Sequence, residues 1–115
     1  MCFELVKMGA EHIHAIALLE EECFSEPWSE NSLSAELLNE NSHFLVAFSD
    51  TVSGYIGVQE ICGEAYITNI AVVSQKRNSG IGRALLKAAA NGAKERGCDF
   101  ITLEVRERNI PAISL

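Results

Sequence analysis

Two glycines, Gly80 and Gly82, constrain the fold of this chain more than any other feature of its sequence. They follow a strand-like segment, Ala65–Val73, and open an amphipathic segment, Ile81–Arg96, whose apolar residues recur at helical spacing. Glycines here let the backbone approach a ligand without a Cβ in the way, and the unpaired N–H groups of a first helical turn favour an anion. The segment therefore predicts either an anion site between a strand and a helix or simply a tight connecting loop.

The rest of the chain predicts an α/β fold. The predicted elements are a strand Phe3–Lys7, a helix Glu11–Cys23 with Ile13, Ile16, Ala17 and either Leu19 or Glu20 on its apolar side, a helix capped by Ser29 and running to Leu38, and strands His43–Phe48, Gly54–Glu60 and Phe100–Val105. Strands two to four form an antiparallel meander, and the last helix carries the chain to a fifth strand. We therefore expect one domain over residues 1–115, a mixed, mostly antiparallel sheet flanked by helices.

Composition limits the class of protein. With 115 residues, 48% of them hydrophobic and 22% charged, the chain suits one small globular domain. It lacks an apolar run of the ~18–20 residues that a membrane span needs, and its first residues do not follow a signal-peptide pattern. The formal charge of −7 argues against binding to phosphate backbones. It would suit a cationic partner, but an acidic balance more often serves only solubility. We expect a cytoplasmic protein that binds neither nucleic acid nor membrane.

The cysteines and histidines do not predict a metal site. Cys2, Cys23, Cys62 and Cys98 lie at least 21 positions apart, so no Cys-x-x-Cys motif is present. Without a secretion signal we expect reduced, mostly buried thiols and no metal cofactor.

Three kinds of pyrophosphate-binding loop compete for the glycine segment, which Arg77 and Arg83 flank. A P-loop needs Gly-Lys-Ser/Thr after the second glycine, where this chain has Gly82-Arg83-Ala84. The dinucleotide fingerprint fits Gly80 and Gly82, and an acidic residue follows at Glu104, but Leu85 occupies its third small position.

The third candidate is the Arg/Gln-x-x-Gly-x-Gly/Ala loop, and several segments around it agree. They are Thr68-Asn69-Ile70-Ala71-Val72 before the loop, Arg77-x-x-Gly80-x-Gly82-Arg83 within it, Leu103-Glu104-Val105-Arg106-x-x-Asn109 after it, and Phe24-x-x-Pro27-Trp28-Ser29 near the start. Together they resemble the GCN5-related N-acetyltransferases (GNATs), and more narrowly the RimI-type ribosomal-protein-alanine N-acetyltransferases.

The resemblance implies the GNAT fold and acetyl-CoA as co-substrate. It implies that the backbone of Ile70, Ala71 and Val72 pairs with the pantetheine arm where the fourth and fifth strands splay apart. It further implies that Asn109 makes an additional contact with the cofactor. The pyrophosphate would be held at the start of the helix by Asn78, Ser79, Gly80, Ile81, Gly82 and Arg83.

The resemblance also implies the reaction, which is acetyl transfer to the N-terminal α-amine of a ribosomal protein, an alanine in that subgroup. Glu104 matches the general base, and the motif favours this role, although the strand periodicity alone would also fit a solvated residue. Pro27 and Trp28 match the acceptor groove. They also fit a hydrophobic staple, in which Trp28 packs on Leu33 and only fixes the entry to the second helix.

The family's last helix, its final strand pair and the tyrosine assigned as general acid all fall beyond Leu115. We therefore expect a truncated member with little or no turnover, and an open sheet edge that could pair with a second copy. Three alternatives stay open: acetylation of another protein terminus or of a small amine, a noncatalytic CoA-binding fragment, and a nucleotide-binding oxidoreductase, which Leu85 disfavours.

Overall fold

The computed structural model describes residues 3–103. Five strands and three α-helices follow one another along this part of the chain. Their bounds are β1 Glu4–Lys7, α1 Ile13–Cys23, α2 Glu30–Glu36, β2 Ser42–Ser49, β3 Thr51–Ile61, β4 Glu64–Val72, α3 Ile81–Glu95 and β5 Phe100–Leu103. A 3₁₀ turn over Ala10–His12 leads directly into α1 and accounts for the longer helix that the sequence predicts there.

The five strands form one sheet in sequence order, β1-β2-β3-β4-β5. The first four are antiparallel neighbours, and β5 runs parallel to β4 because α3 crosses over between them. The predicted fold class, a mixed and mostly antiparallel sheet flanked by helices, is confirmed.

Each face of the sheet has its own core. α3 covers one face, where Ile81, Leu85 and Ala89 pack on buried residues of β3 and β4 such as Ile56 and Ile70. The opposite face carries a second core, which includes residues of both α1 and α2. Because side chains alternate along a strand, β4 contributes Ile70 and Val72 to the first core and Ala71 to the second.

Two boundaries differ from the sequence expectation. The predicted turn Ser49–Ser53 is much tighter, because Asp50 adopts a left-handed conformation (φ 64°) and Thr51–Ser53 already belong to β3. The predicted second helix ends as an α-helix at Glu36 rather than Leu38. Its last residues wind more tightly, with Leu37 N–H donating to Ser34 O at 3.1 Å and Leu38 N–H to Ala35 O at 3.2 Å.

The predicted end of α3 is correct. Gly97 is left-handed (φ 92°), its N–H donates to Lys94 O at 3.0 Å, and the N–H of Cys98 donates to Ala93 O at 2.9 Å. These two hydrogen bonds make up a Schellman motif, which turns the chain from α3 into β5.

Within residues 3–103, no helix is long and apolar enough to cross a membrane. The same residues contain no cluster of three or more His, Cys, Asp or Glu side chains arranged to hold a metal ion. Cys23 and Cys98 are half-buried, whereas Cys62 is exposed, so the expectation of burial is wrong for Cys62.

Candidate functional site

The loop before α3 is built to expose the start of that helix. Asn78 (φ 65°) and Gly80 (φ 90°) are both left-handed, and Gly80 is the N-cap residue. The hydroxyl of Ser79 donates to Lys76 O, which holds the loop to the preceding turn. The first intrahelical bond runs from Ala84 N–H to Gly80 O at 3.0 Å, so the earlier N–H groups of the helix have no intrahelical acceptor.

The predicted pyrophosphate residues form one continuous turn at this point. Four of them are exposed, namely Asn78, Ser79, Gly80 and Arg83, and Ile81 and Gly82 are buried beneath them. A backbone of this shape at the positive end of a 15-residue helix is suited to bind an anion.

The three predicted pantetheine residues lie in the second half of β4. On one side they pair with β3, where Ile70 faces Ile56, Ala71 faces Tyr55 and Val72 faces Gly54. On the other side, the described pairing with β5 covers only Glu64–Ile67 of β4 and ends at Leu103. Thr68 is an extra residue between these two halves, since Asn69 pairs with Gly57 but Ile67 pairs with Val58. This β-bulge changes the direction of β4 at the middle of the sheet.

Arg77 connects the two predicted binding segments. Its Nε donates to Val72 O at 3.2 Å, and its Nη2 lies 3.3 Å from Cys23 Sγ, at the end of α1. Arg77 therefore fixes the ends of β4 and α1 to each other.

The predicted acceptor segment follows α1. Ser29 caps α2 by accepting the N–H of Ser32 at 3.1 Å, as its position before the helix predicts. Trp28 and Leu33 belong to the same core, which agrees with the staple. Pro27 and Trp28 also line an open cleft of about 450 Å³, shared with Ser29, Ser32, Ala35 and Glu36. The packing of Trp28 agrees with the staple, and its role in binding an acceptor stays a prediction.

An aromatic row extends from Trp28 into the core. The rings of Trp28 and Phe44 are 6.2 Å apart between centroids, and Phe44 stacks on Tyr55 at 6.2 Å. Tyr55 is fully buried and pairs with Ala71 of β4. The cleft at Pro27 and Trp28, which is predicted to bind the acceptor, is thus connected by packed side chains to the strand predicted to bind pantetheine.

Two polar residues beneath this site were not singled out as functional from the sequence. Glu20 of α1 is fully buried, and Asn69 of β4 is 1% exposed with a side-chain Nδ2 that has no hydrogen-bond partner in the described structure. The sequence did hold a signal for both residues, since each is polar at a position where the periodicity of its helix or strand predicts an apolar residue. For Asn69, only Oδ1 has a partner, the hydroxyl of Thr68 at 2.6 Å.

Charge is divided unevenly along the chain. Residues 8–75 contain eleven acidic residues and no lysine or arginine, whereas residues 76–115 contain eight lysines and arginines and four acidic residues. The acidic part includes α1, the acceptor segment and α2, and the basic part includes the loop before α3 and α3 itself. The two ends of the candidate site therefore favour ligands of opposite charge.

Two predicted site residues, Glu104 and Asn109, lie outside the described residues. The register places Leu103, the last described residue, beside Ile67 of β4.

Comparisons with known proteins agree with this geometry. The acetyltransferase (GNAT) family model matches residues 13–115. A Bacillus subtilis protein, named as a candidate ribosomal protein bS18-alanine N-acetyltransferase, is 36% identical over 110 residues, covering 94% of this chain and 73% of the relative. The ribosomal protein bS18-alanine N-acetyltransferase of Escherichia coli K12 is 30% identical over 97 residues, covering 84% of this chain and 66% of the relative. The chain thus spans about two thirds to three quarters of the length of these relatives.

Solved structures show the same fold. The crystal structure of the E. coli ribosomal-protein-S18-alanine N-acetyltransferase superposes with a TM-score of 0.84 at 25% identity, covering 98% of this chain and 73% of that one. The PaiA N-acetyltransferase of Thermoplasma acidophilum, crystallised with coenzyme A, gives a TM-score of 0.87 at 24% identity, covering 99% and 86%. From the family match, the sequence identity and the shared fold, this chain belongs to the GNAT family of N-acetyltransferases.

Proposed function

We propose that this protein transfers an acetyl group from acetyl-CoA to the N-terminal α-amine of a cationic protein, with the N-terminal alanine of a ribosomal protein as the acceptor. The observation that carries the proposal is the exposed start of α3, formed by Asn78 and Gly80, beside the end of β4. The relatives named for acetylation of ribosomal protein bS18, and the fold neighbour crystallised with coenzyme A, support it.

In this proposal the loop from Asn78 to Arg83 binds the pyrophosphate, and the backbone of Ile70, Ala71 and Val72 binds the pantetheine arm. Asn109 supplies the further contact that the family resemblance implies. The bulge at Thr68 helps to separate the half of β4 that pairs with β5 from the half that is offered to the coenzyme.

The reaction joins the amine nitrogen to the thioester carbon and breaks the C–S bond. Glu104 accepts the proton of the amine, directly or through water, and a backbone N–H of Ile70–Val72 donates to the oxyanion, an interaction worth ~3 kcal/mol in comparable sites. The thiolate leaves readily, because a thiol pKa near 8.5 makes it a fair leaving group, and it takes its proton from solvent.

Two arguments support a protein α-amine as acceptor. An α-amine has a pKa of about 7.7–8.0 and lysine one of about 10.4, so an α-amine needs roughly 3.4 kcal/mol less help in losing its proton. Glu36 lines the cleft at Pro27 and Trp28, and the exposed Glu26 and Glu30 lie close to these two residues in the sequence, which suits a cationic polypeptide rather than a small neutral amine.

Binding of the coenzyme is tested with two matched substitutions on α3. Arg83→Gln removes an exposed cation from its first turn, and Lys94→Gln removes one from its last turn. In calorimetric titrations with coenzyme A we expect a loss of at least fivefold in affinity for Arg83→Gln and less than twofold for Lys94→Gln. Equal affinities for the two variants would contradict the pyrophosphate site.

Transfer is tested by mass spectrometry with labelled acetyl-CoA. An Ala-initiated peptide of ribosomal-protein composition is compared with the same peptide blocked at its α-amine, with lysines in both. We expect label on the α-amine of the first peptide only, and none after Glu104→Gln. Tight coenzyme binding without labelling would instead support the noncatalytic fragment and the sequence-based expectation of little or no turnover, and labelling of the lysines would refute the α-amine as acceptor.

A further inference from the structure

The carboxyl group of Glu20 joins three elements inside the protein. Its Oε1 accepts the backbone N–H of Trp28 at 2.9 Å, and its Oε2 accepts the hydroxyl of Tyr55. Glu20 belongs to α1, Trp28 to the acceptor segment and Tyr55 to β3, and the side chains of Glu20 and Tyr55 are both fully buried.

The contacts of Glu20 fall where the acceptor cleft is formed. Trp28 lines that cleft and immediately precedes Ser29, the residue that caps α2. A hydrogen bond to the N–H of Trp28 therefore fixes the backbone at the entry to α2. The aromatic row from Trp28 through Phe44 to Tyr55 returns to the same carboxyl group and closes a ring of contacts.

Burying a carboxyl group is costly unless its oxygens are hydrogen-bonded. Glu20 lies on the buried side of α1, together with Ile16 and Leu19. An apolar residue would fill this position without that cost. Since two oxygens accept donors from two different elements, the group has a role that an apolar side chain could not supply.

We propose that Glu20 is a positioning residue that holds the segment from Phe24 to Ser29 in the conformation that binds the acceptor. The proposal rests on the proposed function, because it assigns the acceptor to the cleft at Trp28. Glu20 is fully buried and both its oxygens are bonded, so it acts through Trp28 and Tyr55 rather than by touching the acceptor.

The test compares substitutions that keep or remove these bonds. Glu20→Gln keeps the shape, since the amide oxygen can accept from Trp28 and the amide N–H can donate to the Tyr55 oxygen. Glu20→Leu removes both bonds, and Tyr55→Phe removes one of them. Glu21→Leu makes the same chemical change at the next position of α1, which is exposed, and is the matched control.

Two readouts are used on the whole protein. Trp28 is the chain's single tryptophan, so quenching of its fluorescence by acrylamide reports the acceptor segment directly. Steady-state kinetics separate the KM for the acceptor peptide from kcat and from the KM for acetyl-CoA. The fluorescence readout does not depend on turnover, so it tests the positioning role even where the proposed reaction fails.

For Glu20→Leu we expect a quenching constant at least twofold higher and an acceptor KM at least fivefold higher, with kcat and the KM for acetyl-CoA within twofold. Tyr55→Phe should raise the quenching constant and the acceptor KM by smaller factors. If Glu20→Leu does not fold, Tyr55→Phe provides the test. Glu20→Gln and Glu21→Leu should match the unsubstituted protein. Unchanged quenching in Tyr55→Phe and Glu20→Leu would overturn the proposal. A Glu20→Gln protein as impaired as Glu20→Leu would also overturn it, because it would assign the role to charge.

Discussion

Two polar residues that occupy apolar positions differ in how their hydrogen-bonding capacity is met. Both oxygens of Glu20 accept donors, whereas Nδ2 of Asn69 has no partner in the described structure. A buried unsatisfied donor costs roughly 1–3 kcal/mol, which a fold retains only where something else is gained. Asn69 lies directly after the bulge and directly before the backbone assigned to pantetheine, and its pairing with Gly57 places it beside the aromatic row.

Replacing Asn69 should therefore stabilise the protein while impairing it. For Asn69→Leu we expect a free energy of unfolding higher by about 1 kcal/mol, since the unsatisfied amide is replaced by an apolar side chain of similar size. We infer that Nδ2 of Asn69 donates to a carbonyl of a bound substrate, and leucine has no N–H to replace it. We therefore expect at least a tenfold lower kcat/KM for acetyl transfer. Urea unfolding and initial rates measure the two effects.

The control for Asn69 is Thr68→Val, which removes the hydroxyl bonded to Oδ1 and leaves the amide in place. It should change kcat/KM by less than threefold. An Asn69→Leu protein that is less stable than the original would contradict the argument, because it would mean that Nδ2 has a stabilising partner.

His43 gives the stability a pH dependence. Burial, and secondly the positive charge of Arg96, lower the pKa of His43 below its ordinary value of 6.5, with Lys7 acting in the same direction and Glu60 opposing them. The unfolded chain therefore binds this proton more readily than the folded protein does. The free energy of unfolding should fall as the pH decreases through 6.5.

Urea unfolding between pH 5 and pH 8 measures this effect. We expect a shallower loss of stability on acidification for His43→Gln than for the unsubstituted protein. Identical slopes below pH 6.5 would show that His43 does not contribute.

At the scale of the elements, the ends of a helix could be predicted where a nearby residue fixes the backbone conformation. Gly80 and Gly97 limit α3 to nearly the predicted range because each is left-handed at an end of the helix. Signals that depend on tertiary contacts were not sufficient. The carboxylate of Glu36 accepts Ser42 Oγ and Gln59 Nε2, each at 2.7 Å, and these contacts from β2 and β3 hold the end of α2, which has no marker in its own sequence.

The bulge at Thr68 illustrates the same limit at the candidate site. The alternating apolar pattern of β4 predicts a strand but not a change of register with β3. The glycine loop and the segment at Trp28 could be predicted as candidate sites from the sequence, and their binding roles stay predictions. The supporting contacts of Glu20, Tyr55 and Asn69 could not, because they join residues far apart in the chain.

The start of α3 is tested by a pair of equivalent glycines. Gly80 (φ +90°) and Gly63 (φ +80°) are both left-handed, and an added Cβ would meet nothing within 4 Å at either position. Gly80→Ala and Gly63→Ala should therefore both lower the free energy of unfolding by about 1–2 kcal/mol through backbone strain alone.

Only Gly80→Ala should weaken coenzyme A binding, by at least fivefold in a calorimetric titration, because Gly63 lies in the turn between β3 and β4. Equal losses of affinity in both variants would indicate a general effect of stability. No loss in Gly80→Ala would argue against an anion at this turn.

At the scale of the whole molecule, the separation of charge matters more than the net charge of −7. From the proposed function we expect the acidic residues of α1 and α2 to attract a cationic acceptor. Salt screens such an attraction beyond roughly 10 Å at 0.1 M and 3 Å at 1 M ionic strength. The KM for an Ala-initiated peptide rich in lysine should rise several-fold between 0.05 and 0.5 M NaCl.

A peptide of the same length with neutral residues in place of the lysines is the control, and its KM should stay within twofold over that range. The same salt dependence for both peptides would exclude charge attraction at the acceptor surface. Self-association through β5 stays a prediction; Phe100 on that strand is 66% exposed, and light scattering at high concentration would measure it.

The guanidinium of Arg77, which touches both the end of β4 and the end of α1, has a consequence for how the two substrates bind. If the coenzyme rearranges the glycine loop, we expect the end of α1, which leads to Trp28, to shift with it. Binding of the coenzyme and binding of the acceptor are then expected to be coupled through Arg77. The coupling free energy must be the same whichever of the two binds first.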